Sequence, residues 1–457
     1  MKHKAIYSIL FVLTVALLFC SSFQQYFRFF KFKPVAGVIV ATERPQFQLK
    51  SFMNGTYQNQ MDSYLSENVG FRECFIRSYN QLVWSLFHQS NNESIFVGKD
   101  DWLFNDFVMN HHKGKSLFGY AQTEEEMILK MIADARRLKT LQSILEDYGV
   151  SFFVCIAPSK DLVCDQYLPK VRDDERLDAV RAIDFYPPLF DSLGIHCLNF
   201  SDYFLQIRDT VSYPLYYKSS SHWTNLAATY LADTLIHYME SLSGLNIHDV
   251  SFSEPYLSWN REPDNDLETV LNLMYPIETN YYSYVNVTLD DDSTAVRPKW
   301  LVVGDSYYRG FQYNLPLDKL FASHHYWRYN STVYDDPLHD NTTEVDLLRE
   351  LLSSDIITIL YTPCNLFDLN RQFLTQSVSC LCDANGVLNP RIDKVLNEIN
   401  DPVRDRYRQE MFRNQEWLES IREKAKRSEI TIEEAMERDI DWLLNQKQAK
   451  QQSNEQE

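Results

Sequence analysis

Residues 299–310 read KWLVVGDSYYRG. An apolar, β-branched run ends at Gly304-Asp305 and leaves Ser306 just past the turn. A run with no polar alternation is the pattern of a strand buried on both faces. Similar runs flank it: VSFFVCIAP (150–158), HCLNFSDYF (196–204) and SDIITILYTPC (354–364). Between them lie helical patterns, a long amphipathic one over 122–148 and another over 223–242 capped by Thr224. This alternation predicts an α/β fold, a parallel sheet with helices on both faces. Such sheets hold ligands beyond the carboxyl ends of their strands. Ser306 is therefore where chemistry is expected, near backbone N–H groups able to hold an oxyanion. Gly-Asp-Ser is equally an ordinary strand-to-loop turn, so the tripeptide alone decides nothing.

The stretch KSSSHWTN (218–225) supplies a second candidate. His222 precedes the helical segment, where the helix N-terminus disfavours the imidazolium and keeps the ring able to accept a proton. A histidine packed on Trp223 with no task is the plain alternative.

The bulk numbers bound the rest. The chain has 457 residues, 45% hydrophobic and 14% aromatic, enough for a sizeable core. Lys and Arg total 44 against 63 Asp and Glu, a net charge of −19 with no basic tract, which argues against nucleic-acid binding. The N-terminus has Lys2 and Lys4 before an apolar run from Ala5 to Cys20 with no small-x-small cleavage pattern. It reads as an uncleaved membrane anchor, with a cleaved signal peptide as the alternative. Arg28, Lys31 and Lys33 follow the run, so charge leaves its orientation open. Of the eight cysteines, Cys155 reads as core. Cys380 and Cys382 lack zinc spacing, and no metal or other cofactor is called for. The adjacent pairs His111–His112 and His324–His325 do not suit one metal, and the acid run Asp290–Asp292 reads as a solvated loop.

The expected organisation is an anchor or signal over 1–23 and a stalk with a helical lead-in over 24–93. An α/β domain over 94–389 follows, with an irregular insertion at 243–297, and then a charged helical segment over 390–457.

Four motifs occur in order: GKDDWLF (98–104), APSK (157–160), YYKSSSHWT (216–224) and VVGDSYYRG (302–310). Together they resemble the SGNH-hydrolase-like domain of the periplasmic alginate O-acetyltransferase family, found in exopolysaccharide-acetylation loci. The resemblance covers roughly residues 35–370. It implies an SGNH-like sheet with Ser306 as nucleophile and His222 as general base. It also implies a polysaccharide substrate, a membrane-bound O-acyltransferase partner, and a single-pass inner-membrane protein with its main domain in the periplasm or outside the cell. The family's orienting acid lies two residues before the histidine, and here that position is Ser220. Asp101 likewise stands where glycine is usual.

Three readings of the missing acid follow. Ser220 or a backbone carbonyl holds the ring of a Ser–His dyad. A carboxylate arrives from elsewhere, Asp336 of Asp336-x-x-His339 being the candidate. Or the chemistry is lost, and the chain is a glycan-binding or scaffold subunit. Gly304, Asp305 and Asn365 are candidates for oxyanion or substrate contacts. Lys160, Trp223, Tyr307 and Tyr308 are candidates for binding sugar, with core packing as the alternative for the aromatic residues. The expected activity is transfer of acetyl groups to, or removal from, hydroxyls of a cell-envelope polysaccharide through an acyl-serine.

Overall fold

A computed structural model describes residues 2–37, 42–115, 123–170, 179–278 and 281–454. Residues 38–41 of the expected stalk lie outside that description. The centre is a six-stranded sheet of β1 (Ser151–Ile156), β2 (Cys197–Asn199), β3 (Lys299–Gly304), β4 (Ser323–Arg328), β5 (Thr332–Tyr334) and β6 (Ile356–Tyr361). Its order is β5-β4-β3-β6-β1-β2, and only the β4–β5 pair is antiparallel.

The unbroken apolar runs follow from burial of both faces. Phe152, Val154 and Ile156 join Leu301, Val303, Ile357 and Ile359 on one face, under helices Glu124–Asp147 and Ala182–Leu193. Phe153, Cys155, Trp300, Val302 and Leu360 form the other, under helix Asn225–Ser243. Alternate residues of one strand thus feed two cores. Gly304 ends β3 against β6: a Cβ there would lie 2.2 Å from Leu360 O. Only glycine fits that contact.

Other elements differ from expectation. The 196–204 segment is a strand only over Cys197–Asn199, because Asn199 caps a helix over Phe200–Ile207 by accepting from Asp202 N at 3.1 Å. β4 reads Ser-His-His-Tyr-Trp-Arg, a polar start that hides a strand. The 57–88 region is two helices, Thr56–Asn68 and Arg72–Phe87, broken at Gly70, where the end of the apolar helix α1 (Lys2–Phe27) packs: a Cβ on Gly70 would lie 2.0 Å from Ser21 O. The described residues of 243–297 include two antiparallel strand pairs and a short helix, α2 (Asp266–Leu271).

After the sheet, helix Ile392–Ile399 packs Ile392 and Val395 into the core that covers the sheet, while helices Pro402–Arg413, Gln415–Ser428 and Ile432–Asn454 form their own core around Met411, Ile421 and Ile440. They dock on the β5 edge through Arg349, which meets Glu398 and Glu437. Within α1, residues 6–27 are long and apolar enough to cross a membrane by length and composition.

Candidate active site

Ser306 opens a turn of 3-10 helix, Ser306–Tyr308, at the carboxyl end of β3. Asp305 fixes that turn. Its carboxylate accepts from Tyr307 N at 3.1 Å, Thr362 N at 2.8 Å, Thr362 Oγ1 at 2.9 Å and Asn365 Nδ2 at 2.9 Å. It thereby ties the end of β3 to the end of β6, and the serine leaves the sheet at a fixed angle.

His222 lies in the loop before helix Asn225–Ser243, whose cap Thr224 accepts from Ala227 N at 3.0 Å. Its Nε2 is 2.8 Å from Ser306 Oγ. Its Nδ1 is 3.0 Å from Oδ2 of Asp266, at the start of α2. Ser306, His222 and Asp266 thus form a continuous hydrogen-bonded chain. Burial alone would raise the Asp266 pKa, but the His222 imidazole and hydrogen bonds from His222 and Ser221 outweigh it. They bring it down to about 2, so the carboxylate stays ionised across the ordinary pH range.

The three serines before the histidine stitch its loop to the segment carrying the acid. Ser219 Oγ donates to Asp264 O at 3.3 Å, and Ser219 O accepts from Glu268 N at 3.1 Å. Ser220 Oγ donates to Pro263 O at 2.7 Å and accepts from His222 N at 3.1 Å. Ser221 Oγ bonds Asp266 Oδ2, and Ser221 N donates to Asp266 Oδ1 at 2.8 Å. Asp264 closes the seam by accepting from Asn225 N at 2.9 Å.

The other expected site residues fall into place around this chain. Ser220 is fully buried and bonds backbone atoms, so the ring's carboxylate partner is Asp266 instead. Asp336 accepts from His339 Nδ1 at 2.8 Å, at the docking edge of the C-terminal helices, and is not brought to His222. Asn365 has its amide nitrogen committed to Asp305 Oδ2 and Thr362 Oγ1, so it is not free to meet an oxyanion.

Lys160 points into the protein. It is fully buried, and its ammonium donates to Leu103 O at 2.8 Å, Tyr217 O at 2.9 Å, Lys218 O at 3.1 Å and Ser220 O. Burial lowers its pKa to about 8. The Trp102 ring, 5.0 Å from Nζ, is stacked on Tyr167 at 4.2 Å. The GKDDWLF and APSK motifs therefore meet beneath the histidine loop and hold its backbone. Asp101 adopts φ +63°, the left-handed region that favours glycine, which gives a physical reason for glycine at that place in the family.

Trp223 and Tyr308 are core residues with no exposed surface. Tyr307 underlies the histidine: its ring centroid is 4.8 Å from that of His222, and its hydroxyl donates to Ser221 O at 2.6 Å.

Asp266 is the functional candidate that sequence reasoning missed. It stands in REPDNDLETV (261–270), inside the stretch read as an insertion. The available signal was an Asp-rich, Pro-led helix start, which marks an ordered cap more than a loop. Among the described residues two clusters away from the Ser306–His222–Asp266 chain have metal-ligand chemistry: the largely exposed His237, Glu240 and Asp249, and the buried His111, Asp161 and Cys364, each with ligand atoms within 4.8 Å of one another. The buried three form a hydrogen-bonded set, with His111 Nδ1 2.7 Å from Asp161 Oδ2 and Ser159 on the other carboxylate oxygen. Burial pushes the Cys364 thiol pKa well up.

Comparison with known proteins adds a family. Residues 95–318 match the model described as the SGNH hydrolase-like domain of the acetyltransferase AlgX. No curated protein matches the chain. Solved structures similar to it include the O-acetyltransferase domain of Pseudomonas putida AlgJ, at 15% identity over 62% of this chain and 98% of that one, TM-score 0.41. Pseudomonas aeruginosa AlgX is similar at 15% identity over 63% and 71%, TM-score 0.37. Bacillus cereus PatB1 is similar at 12% identity over 60% and 97%, TM-score 0.37. The family match takes in His222, Asp266 and Ser306 and stops before β4. Residues 95–318 are an SGNH hydrolase-like domain of the AlgX acetyltransferase family.

Proposed function

We propose that this protein transfers acetyl groups to hydroxyls of a cell-envelope polysaccharide through an acetyl-Ser306 intermediate. The observation that carries the reading is the chain Ser306 Oγ, His222 Nε2, His222 Nδ1 and Asp266 Oδ2, with links of 2.8 and 3.0 Å. The acetyltransferase description of the matched family supports acetyl as the group moved.

In the first half-reaction Ser306 Oγ adds to the acetyl carbonyl of the donor while His222 Nε2 takes its proton. Asp266 remains a carboxylate, fixes the tautomer and stabilises the imidazolium. The Ser306 backbone N–H is the proposed oxyanion donor, since Tyr307 N is committed to the Asp305 carboxylate and Tyr308 N to Asp305 O. His222 then returns the proton to the leaving oxygen. In the second half it deprotonates an acceptor hydroxyl, which attacks the acetyl-serine and restores the enzyme. Water as acceptor would make the same site an acetylesterase. A membrane-bound O-acyltransferase is the proposed source of acetyl groups, and α1 the proposed anchor to the inner membrane. A non-catalytic scaffold is favoured only by a site without an acid, and Asp266 supplies a carboxylate at hydrogen-bond distance.

The test is turnover of a chromogenic acetyl ester. Ser306→Ala should abolish it. Asp266→Asn should lower it by about 10⁴, the loss seen when a triad acid is neutralised in a serine protease. Wild-type protein with no more activity than Ser306→Ala would overturn the reading.

A further inference from the structure

Helix Arg72–Phe87 has two unlike faces. The inner face holds the segment behind the triad acid. Asn80 Nδ2 donates to Leu271 O at 2.7 Å, and Gln81 Oε1 accepts from Met274 N at 3.1 Å and Tyr275 N at 3.0 Å. Trp84 is buried with Leu267 and Leu271 of α2. The outer face carries Phe75, Tyr79, Leu82 and Leu86, which are 49, 61, 56 and 62% exposed. Spacings of four, three and four residues put them on one stripe. A contiguous apolar stripe of this kind marks an interaction surface rather than scattered exposure.

The stripe continues into the base of α1. Phe71, just before the helix, has its ring 6.0 Å from Phe30, 5.8 Å from Phe32 and 6.4 Å from Phe75. The last turns of α1 rest on Gly70. Around that junction Phe23, Tyr26, Phe27, Phe29 and Phe30 are exposed, the composition of an interfacial aromatic belt. The charge there is opposite to that of the chain. Residues 23–37 carry Arg28, Lys31 and Lys33 with no acid, and the helix carries Arg72 and Arg77 against Glu73, while the whole chain is at −19. Arg77 also clasps the stalk, donating to Pro34 O at 2.8 Å.

We propose that helix Arg72–Phe87 lies in the surface of the bilayer that α1 enters, with its Phe75–Leu86 stripe in the boundary between headgroups and acyl chains and the basic residues beside it against anionic phospholipid headgroups. This is the arrangement of an interfacial amphipathic helix beside a membrane span. Because its inner face grips residues 271–275, the segment carrying Asp266 is held at a set height over the membrane. The proposal rests on α1 as the anchor, and the experiment separates the two.

The full chain is reconstituted in vesicles of phosphatidylethanolamine and phosphatidylglycerol. A photoreactive benzoylphenylalanine replaces, one at a time, Tyr79, Leu82, Phe11 of α1, or exposed Trp442 of the C-terminal helices. After illumination, adducts are mapped by mass spectrometry. Phospholipid adducts at positions 11, 79 and 82, with none at 442, are the expected result. A lipid adduct at 11, with none or only a chain-to-chain dimer at 79 and 82, overturns the interfacial helix and leaves the anchor standing. No lipid adduct at 11 overturns the anchor and the proposal with it. The same probes in native membranes overturn the proposal if positions 79 and 82 trap another protein in place of lipid.

Discussion

Three consecutive serines precede His222, and each makes a different bond. Ser221 holds the acid, Ser220 holds Pro263 O and Ser219 holds the backbone at Asp264. At this scale Ser306 and His222 were legible in the sequence, because a strand-end serine and a pre-helix histidine each leave a local pattern. Asp266 was not, because its link to His222 spans 44 residues and has no local period. The pattern at Ser220 pointed to a lost acid, while the physical site keeps a carboxylate on a different element. A sharp expectation follows for Ser220→Asp. The position is fully buried, with its oxygen committed to Pro263 O. A carboxylate there would be desolvated and would lose the bond donated to Pro263 O, at a cost of about 1–3 kcal/mol or more. The variant should melt below wild type and gain no ester turnover. A variant that melts like wild type and turns over faster would mean that Ser220 occupies the functional acid position.

At the scale of elements, the strands buried on both faces announced themselves through unbroken Val, Ile, Leu and Phe. β4 and β5 did not, since β4 opens with Ser323-His324-His325, outside its ladder with the short edge strand β5, where polar residues are tolerated. The motif loops were visible as motifs, but their task was not. Lys160 illustrates this: at a strand end it reads as a substrate contact, whereas it binds the carbonyls of Leu103, Tyr217, Lys218 and Ser220. Lys160→Met keeps the stem and strands those carbonyls. At about 1 kcal/mol for each unsatisfied group, the loss should be roughly 3 kcal/mol or more of unfolding free energy, measurable by urea denaturation. Ester turnover should fall with KM little changed, because the loop that places His222 loosens while no substrate contact is removed. An unchanged kcat with a raised KM would return Lys160 to a substrate-binding role.

Over the whole molecule, the C-terminal helices are a second packing unit fastened to the sheet edge, and composition showed only that they were charged and helical. Part of the fastening is titratable. His339 is buried, with Nδ1 2.8 Å from Asp336 Oδ2 and Nε2 3.4 Å from Glu433 of the last helix. Burial disfavours its imidazolium, but the bonds to Asp336 and Glu433 prevail and raise its pKa to about 10. A raised folded pKa means that the folded state binds the proton more tightly. This contribution is complete below the ordinary histidine value of about 6.5 and is lost as pH climbs toward 10. Wild type should therefore lose thermal stability between about pH 7 and 10 more steeply than His339→Gln. Equal slopes would mean that the docking does not depend on this proton.

The proposed reaction turns on one covalent bond, that between an acetyl carbon and Ser306 Oγ. The direct measurement is peptide mass mapping of full-length protein quenched early after mixing with an activated aryl acetate. One acetyl group on Ser306 is expected in wild type, much less in Asp266→Asn at the same time point, and none in Ser306→Ala. Acetyl found on another residue, or accumulating on Ser306 as fast in Asp266→Asn as in wild type, would contradict the Asp266–His222–Ser306 relay.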